Sequence, residues 1–67
     1  MNQHTLILDF LRKYHTLTPY QAFEVLGITK LATRISEMRS KGVDIKDVWV
    51  DDFNRYGQKV RYKKYYI

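Results

Sequence analysis

The side chains able to do chemistry in this chain are mostly cations, and they gather in two places. The first is TKLATRISEMRSK, Thr29 to Lys41, where Leu31, Ile35 and Met38 recur at helical spacing and leave Lys30, Thr33, Arg34, Glu37 and Lys41 on the outer side. Arginine offers two parallel N–H donors that match the paired acceptors of a guanine edge. Lysine reaches guanine or a phosphate, threonine a thymine methyl or a phosphate, and glutamate a cytosine amine. Arg34, midway along the helix, is the first choice for reading a base. Thr29 and Lys30 form the first turn, where backbone amides favour a phosphate. The second place is the C-terminal run from Asn54, in which Arg55, Lys59, Arg61, Lys63 and Lys64 occur without an acid and alternate with Tyr56, Tyr62, Tyr65 and Tyr66. Such a run suits phosphate contact, or stacking of single-stranded bases on the tyrosines.

Groups that would support catalysis do not converge. His4 and His15 are too far apart for a one-turn metal pair, and there is no cysteine to complete a zinc site. Asp51 and Asp52 are neighbours on an expected strand, so their carboxylates point to opposite faces and cannot share a proton transfer. Ser36 and Ser40 have no base placed beside them, and no phosphate loop is present. The expectation is a non-enzyme with no metal and no cofactor.

The elements that must position these cations follow from a change of hydrophobic period. Ile7, Phe10, Leu11 and Tyr14 stand at i, i+3, i+4 and i+7, which predicts a first helix over about 3–14. Thr18, Pro19 and Gln21 supply an N-cap, a first-turn proline and a capping-box partner for a second helix over about 19–26, with Ala22, Phe23 and Leu26 inward. Gly27 stops that helix, Thr29 is placed to cap the next, and the third helix runs over about 30–40 to Gly42. After Gly42 the residues turn β-branched and aromatic, which predicts an antiparallel hairpin over about 43–67 around DDFNRYG. Val43, Ile45 and Trp49 share one parity and Val48 and Val50 the other, so a bulge near Asp47 is expected. Arg39 sits at the edge of the buried stripe, where it is placed to brace the hairpin through Asp47. Tyr62 and Tyr65 are expected in the core. Three helices and a hairpin make an α+β chain of winged helix-turn-helix type, whose last helix enters a major groove while the hairpin flanks it.

Composition sets the outer limits. A chain of 67 residues makes one domain, 1–67, and buries only about 60% of the surface its unfolded chain exposes. Twelve Lys and Arg against seven Asp and Glu leave a net charge of +5. The resulting pI near 9.6 falls in the range of nucleic-acid-binding domains. No apolar run is long enough to span a bilayer and MNQHTLILDF lacks the features of a secretory signal, so a cytoplasmic protein without a membrane partner is expected.

The string Leu17-Thr18-Pro19, Ala22, Leu26-Gly27-Ile28, Leu31-Ala32, Arg34-Ile35, Met38-Arg39, Gly42 and Ile45, followed by a tyrosine-rich strand, resembles the small helix-turn-helix proteins carried by phages and prophages. The resemblance covers about Leu17 to Ile67, and its most specific part is LATRISEMRSKG. It implies a winged-helix binder of double-stranded DNA in a bacterial host cell, acting as a transcription regulator or a recombination or replication accessory. Leu31, Ile35 and Met38 would then be core, with Arg34 on or beside the DNA-facing surface. So small a module would act as a homodimer or cooperatively on DNA. Ala22 precedes Gly27 by five residues where the ordinary motif has four. The competing expectation is a protein-interaction module, such as an inhibitor of a host complex, using exposed Trp49, Tyr65 and Tyr66; a third is an RNA or single-strand binder.

Overall fold

The computed structural model describes residues 2–67. The order of elements is α1 (Gln3–Tyr14), β1 (Thr16–Leu17), α2 (Pro19–Leu26), α3 (Leu31–Ser40), β2 (Lys46–Phe53) and β3 (Lys59–Tyr66). This is an α+β arrangement, and β1, β3 and β2 lie in that order in one antiparallel sheet.

Helix α1 starts where Asn2 Oδ1 accepts the Thr5 N–H at 2.8 Å. It ends at His15, whose φ of 72° is left-handed and whose N–H reaches the Leu11 carbonyl at 2.8 Å. Ile7 and Leu11 are fully buried, whereas Tyr14, the last member of the expected stripe, is exposed and packs its ring 4.6 Å from that of Phe10. Helix α2 begins with the expected capping box: Thr18 Oγ1 accepts from the Gln21 N–H and Gln21 Oε1 from the Thr18 N–H, both at 3.1 Å. It closes through the Gly27 N–H on the Phe23 carbonyl at 3.2 Å and the Ile28 N–H on the Ala22 carbonyl at 2.9 Å. That double closure needs a left-handed residue, and Gly27 supplies it at φ +69°. It also turns Ile28 into the core. Phe23, expected inward, lies about 100° around the helix from buried Ala22 and is 58% exposed.

Helix α3 starts one residue later than expected. Lys30 is its N-cap and makes no side-chain cap bond, so Thr29 stands outside the helix and does not cap it. Leu31, Ile35 and Met38 are buried as the spacing predicts. Strands β2 and β3 pair without interruption from Lys46 opposite Tyr66 to Phe53 opposite Lys59, so no bulge occurs near Asp47. Val43 and Ile45 precede the strand. The parity conflict disappears because they belong to the connection from α3, where Ile45 is buried and Val43 packs against the core.

Sequence reading missed β1, a strand too short to show a period. Leu17 and Thr16 pair with Tyr65 and Tyr66 across β3, and Leu17 is fully buried. The core therefore consists of Ile7, Leu11, Leu17, Ala22, Ile28, Leu31, Ile35, Met38, Ile45 and Tyr65. Tyr65 is buried and Tyr62 half-buried, so Tyr65 is not part of an exposed aromatic patch.

Candidate nucleic-acid interface

Alternation along the hairpin decides which cations share a face. Directly opposite residues of antiparallel strands point the same way. One face of the sheet thus carries Asp47, Trp49, Asp51 and Phe53 with Tyr65, Lys63, Arg61 and Lys59 opposite them. The other carries Lys46, Val48, Val50 and Asp52 opposite Tyr66, Lys64, Tyr62 and Val60. Tyr65 belongs to the core and Asp47 is bonded to Arg39 of α3, so α3 lies on the first face. Lys59, Arg61 and Lys63 consequently stand on the same side as α3, and Lys64 on the opposite side.

Arg39 anchors this geometry. Its guanidinium donates to Asp47 Oδ2 at 2.8 Å and, through Nε at 2.9 Å and also through Nη2, to the Ile45 carbonyl. The brace expected from sequence is thus present, and it also holds the backbone that leads into β2. The Arg39 hydrogen bond holds the Asp47 carboxyl below its ordinary value, against the opposing cost of burial. Burial, with the nearby Asp47 charge, pushes the Tyr65 hydroxyl up.

Beyond the brace the wing carries an aromatic ring between cations. The Arg61 guanidinium carbon lies 4.6 Å and Lys63 Nζ 5.2 Å from the centre of the Trp49 ring, within cation–π range. Arg61 Nε also stands 3.7 Å from Asp51, an exposed pair of small energetic weight. Trp49 packs against two cationic side chains on the α3 side, a role not evident from composition and spacing. The signal was available in the register, since Trp49 and Lys63 are directly opposite. At the tip Arg55 and Tyr56 are exposed. Asn54 is occupied by the turn itself: its Oδ1 accepts the Tyr56 and Gln58 amides at 2.9 and 3.0 Å, and its Nδ2 donates to Gln58.

On α3 the structure sorts the expected residues by direction. Taking about 100° per residue, Thr33 and Ser40 lie nearly opposite the buried stripe, with Ser36 beside them. Arg34 lies roughly 70° from the stripe's centre, on the flank toward α1. All three hydroxyl residues are exposed, and Arg34 is half-buried. Arg34 Nε is buried 3.4 Å from Glu37 Oε1, close enough for charge pairing but without hydrogen-bond geometry. His4 of α1 closes the cluster, with Nε2 2.9 Å from the same Glu37 oxygen. That hydrogen bond is the largest influence holding the Glu37 carboxyl below its ordinary value; burial opposes it, and the charges of Arg34 and Lys41 assist. Glu37 therefore ties α3 to α1, with Arg34 beside it on α3, while Thr29, Lys30 and Lys41 remain exposed around the helix ends. Lys30 makes no side-chain cap bond, so its side chain leaves the first-turn amides of α3 without the partner a cap would supply.

Among the described residues no group of His, Asp or Glu is arranged to hold a metal ion, and no helix is long and apolar enough to cross a membrane. A family model described as a winged helix-turn-helix domain matches residues 2–67. No curated protein and no solved structure gives a significant match. The match spans nearly the whole chain, and the chain belongs to the winged helix-turn-helix domain family.

Proposed function

We propose that this winged helix-turn-helix domain binds double-stranded DNA, with α3 in the major groove and the hairpin along the adjacent backbone. One observation carries the reading. Helix α3, tied to the hairpin by the Arg39–Asp47 bond, lies on the same side of the sheet as Lys59, Arg61 and Lys63. One duplex can therefore meet both. Thr33, Ser36 and Ser40 would face the base edges, Lys30 and the first-turn amides one phosphate strand, and the wing cations another. Arg34 would contribute at the flank, from a position set by Glu37. The role is that of a transcription regulator or a recombination or replication accessory, of the phage type that the sequence resembles. It requires neither catalysis nor a cofactor, and the setting is the bacterial cytoplasm.

A second reading rests on α2. Tyr20 and Phe23, one helical turn apart, are 68% and 58% exposed, side by side on the surface. Trp49 is also exposed, at 52%, but Arg61 and Lys63 lie against its ring, so a protein partner would dock on α2. Titration of labelled random duplex, single-stranded DNA and RNA at two salt concentrations tests the choice. Duplex affinity that falls in Arg61→Gln/Lys63→Gln and is kept in Phe23→Ser supports DNA binding. Equal binding to all three nucleic acids, or none, refutes it.

A further inference from the structure

β2 is an edge strand, with β3 on one side of it and, among the described residues, no strand on the other. Asn54 N–H donates to the Gln58 carbonyl across the hairpin at 2.9 Å. This fixes the parity: even-numbered residues of β2 turn their backbone groups toward β3, and odd-numbered residues turn theirs outward. Both ends of that outward row are closed. The Ile45 carbonyl is taken by Arg39, and the Phe53 N–H by the Asp52 carboxylate at 2.8 Å. The open positions are Asp47, Trp49 and Asp51, and their centre is Trp49.

We propose that a second copy of this chain pairs here, β2 antiparallel to β2, about a two-fold axis at Trp49. That register joins Trp49 to its own copy and Asp47 to Asp51 of the second copy, and each of these three pairs exchanges two backbone hydrogen bonds. On the face away from α3, Lys46 stands opposite Asp52 of the second copy and Val48 opposite Val50. An apolar centre is then flanked by two opposite-charge pairs. A slip of two residues sets Asp52 against Val48, so charge selects the register. On the α3 face Asp47 meets Asp51 of the second copy, a like-charge pair, but Arg39 already holds the first and Arg61 stands beside the second.

A two-fold axis perpendicular to the sheet keeps each face on its own side. Both α3 helices therefore project from one side of a six-stranded sheet, with the Trp49, Arg61 and Lys63 clusters between them. If the duplex reading holds, the preferred site is an inverted repeat. The strand pairing itself does not depend on that reading.

The test uses the protein without DNA. The chain has no native cysteine, and paired residues with outward backbone groups stand about 5.5 Å apart at Cα, within disulfide range. Under mild oxidation Trp49→Cys should form a covalent dimer at several times the yield of Lys46→Cys, whose two copies would be about 20 Å apart. Asp52→Lys should cut the Trp49→Cys yield several-fold, and adding Lys46→Asp to it should restore it. Where loss of Trp49 harms folding, an equimolar mixture of Val48→Cys and Val50→Cys replaces it, since those residues face each other across the axis. Equal yields at positions 46 and 49, or no rescue by the charge exchange, overturn the pairing. Either failure leaves duplex binding untouched, and loss of duplex binding with crosslinking intact sinks the DNA reading alone.

Discussion

Salt dependence should separate the two faces of the wing. Lys30, Arg55, Lys59, Arg61 and Lys63 are placed on the α3 side or at the hairpin tip. If these five cations each displace one phosphate counterion, log K falls with log salt at a slope of about −4.5. Between about 50 and 200 mM salt that is roughly a 500-fold loss of affinity. Arg61→Gln/Lys63→Gln leaves three contacts, a slope of about −2.7 and a loss of roughly 40-fold over the same interval. Lys64→Gln removes the same kind of charge from the opposite face and should leave the slope near its original value. Fluorescence anisotropy with a labelled random duplex measures all three, with far-UV circular dichroism confirming that each variant is folded. A flat wild-type slope would falsify the backbone reading. Equal slope changes per cation removed would show that the wing has no preferred face and that only net charge attracts the duplex.

The remaining predictions concern the scaffold. Ile35→Ala, at a site 1% exposed, should cost about 2–5 kcal/mol, against a total of roughly 3–10 kcal/mol for a chain of this length; urea melts should show it largely unfolded or close to it. Arg39→Ala removes the donor that holds the Ile45 carbonyl and should lower Tm by roughly 5 °C or more, whereas Arg12→Ala, on the exposed side of α1, should leave Tm unchanged. Glu37 and Asp47 both have folded pKa values below their ordinary 4.5 and 3.8, so their stabilising effect is present above those values and fades as pH falls through the lowered ones. Tm should therefore drop on acidification below about pH 4.5, and a wild-type acid limb no steeper than that of Asp47→Asn would contradict the assignment for Asp47. The raised Tyr65 value has the opposite sign: its stabilisation is full below its ordinary 10.0 and is lost as pH rises beyond it.

Most of the architecture was legible because it rests on local signals. Thr18-Pro19 with Gln21 specifies a helix start through side chains that bond the adjacent backbone, and Gly27 specifies its end through a left-handed φ. The buried stripe of α3 follows from spacing alone. What was not legible depended on partners distant in sequence. β1 exists because Tyr65 and Tyr66 offer it a ladder, and two residues carry no period of their own. Spacing places Arg34 outside the buried stripe, but it does not show that Glu37 beside it bonds to His4 of α1, 33 residues away. Phe23 reads as core until the Gly27 turn delivers Ile28 to the space between the helices. The apparent bulge at Asp47 came from assigning Val43 and Ile45 to the strand, when their burial belongs to the connection before it.

The two arginines of α3 that reach acids show why side-chain type alone did not assign the interface. Arg34 and Arg39 have the same chemistry, but Arg34 meets an acid on its own helix, one turn on, while Arg39 meets Asp47 and the Ile45 carbonyl on the chain that follows. The first contact sets where one side chain lies; the second sets where the hairpin leaves the body. Arg39 also closes one end of the outward row of β2, so on the proposed strand pairing a single guanidinium would govern both the angle of the wing and the register of the dimer. Arg39→Lys makes that separable. A lysine can keep a charge contact with Asp47 but cannot reproduce the forked bonds to the carbonyl. Combined in turn with the single variants Trp49→Cys and Val48→Cys, it should therefore preserve the fold, while the Ile45 carbonyl becomes free to pair and crosslinking appears at position 48 as well as at 49. Crosslinking that stays confined to position 49 would show that the charges of Lys46 and Asp52 set the register without help from the brace.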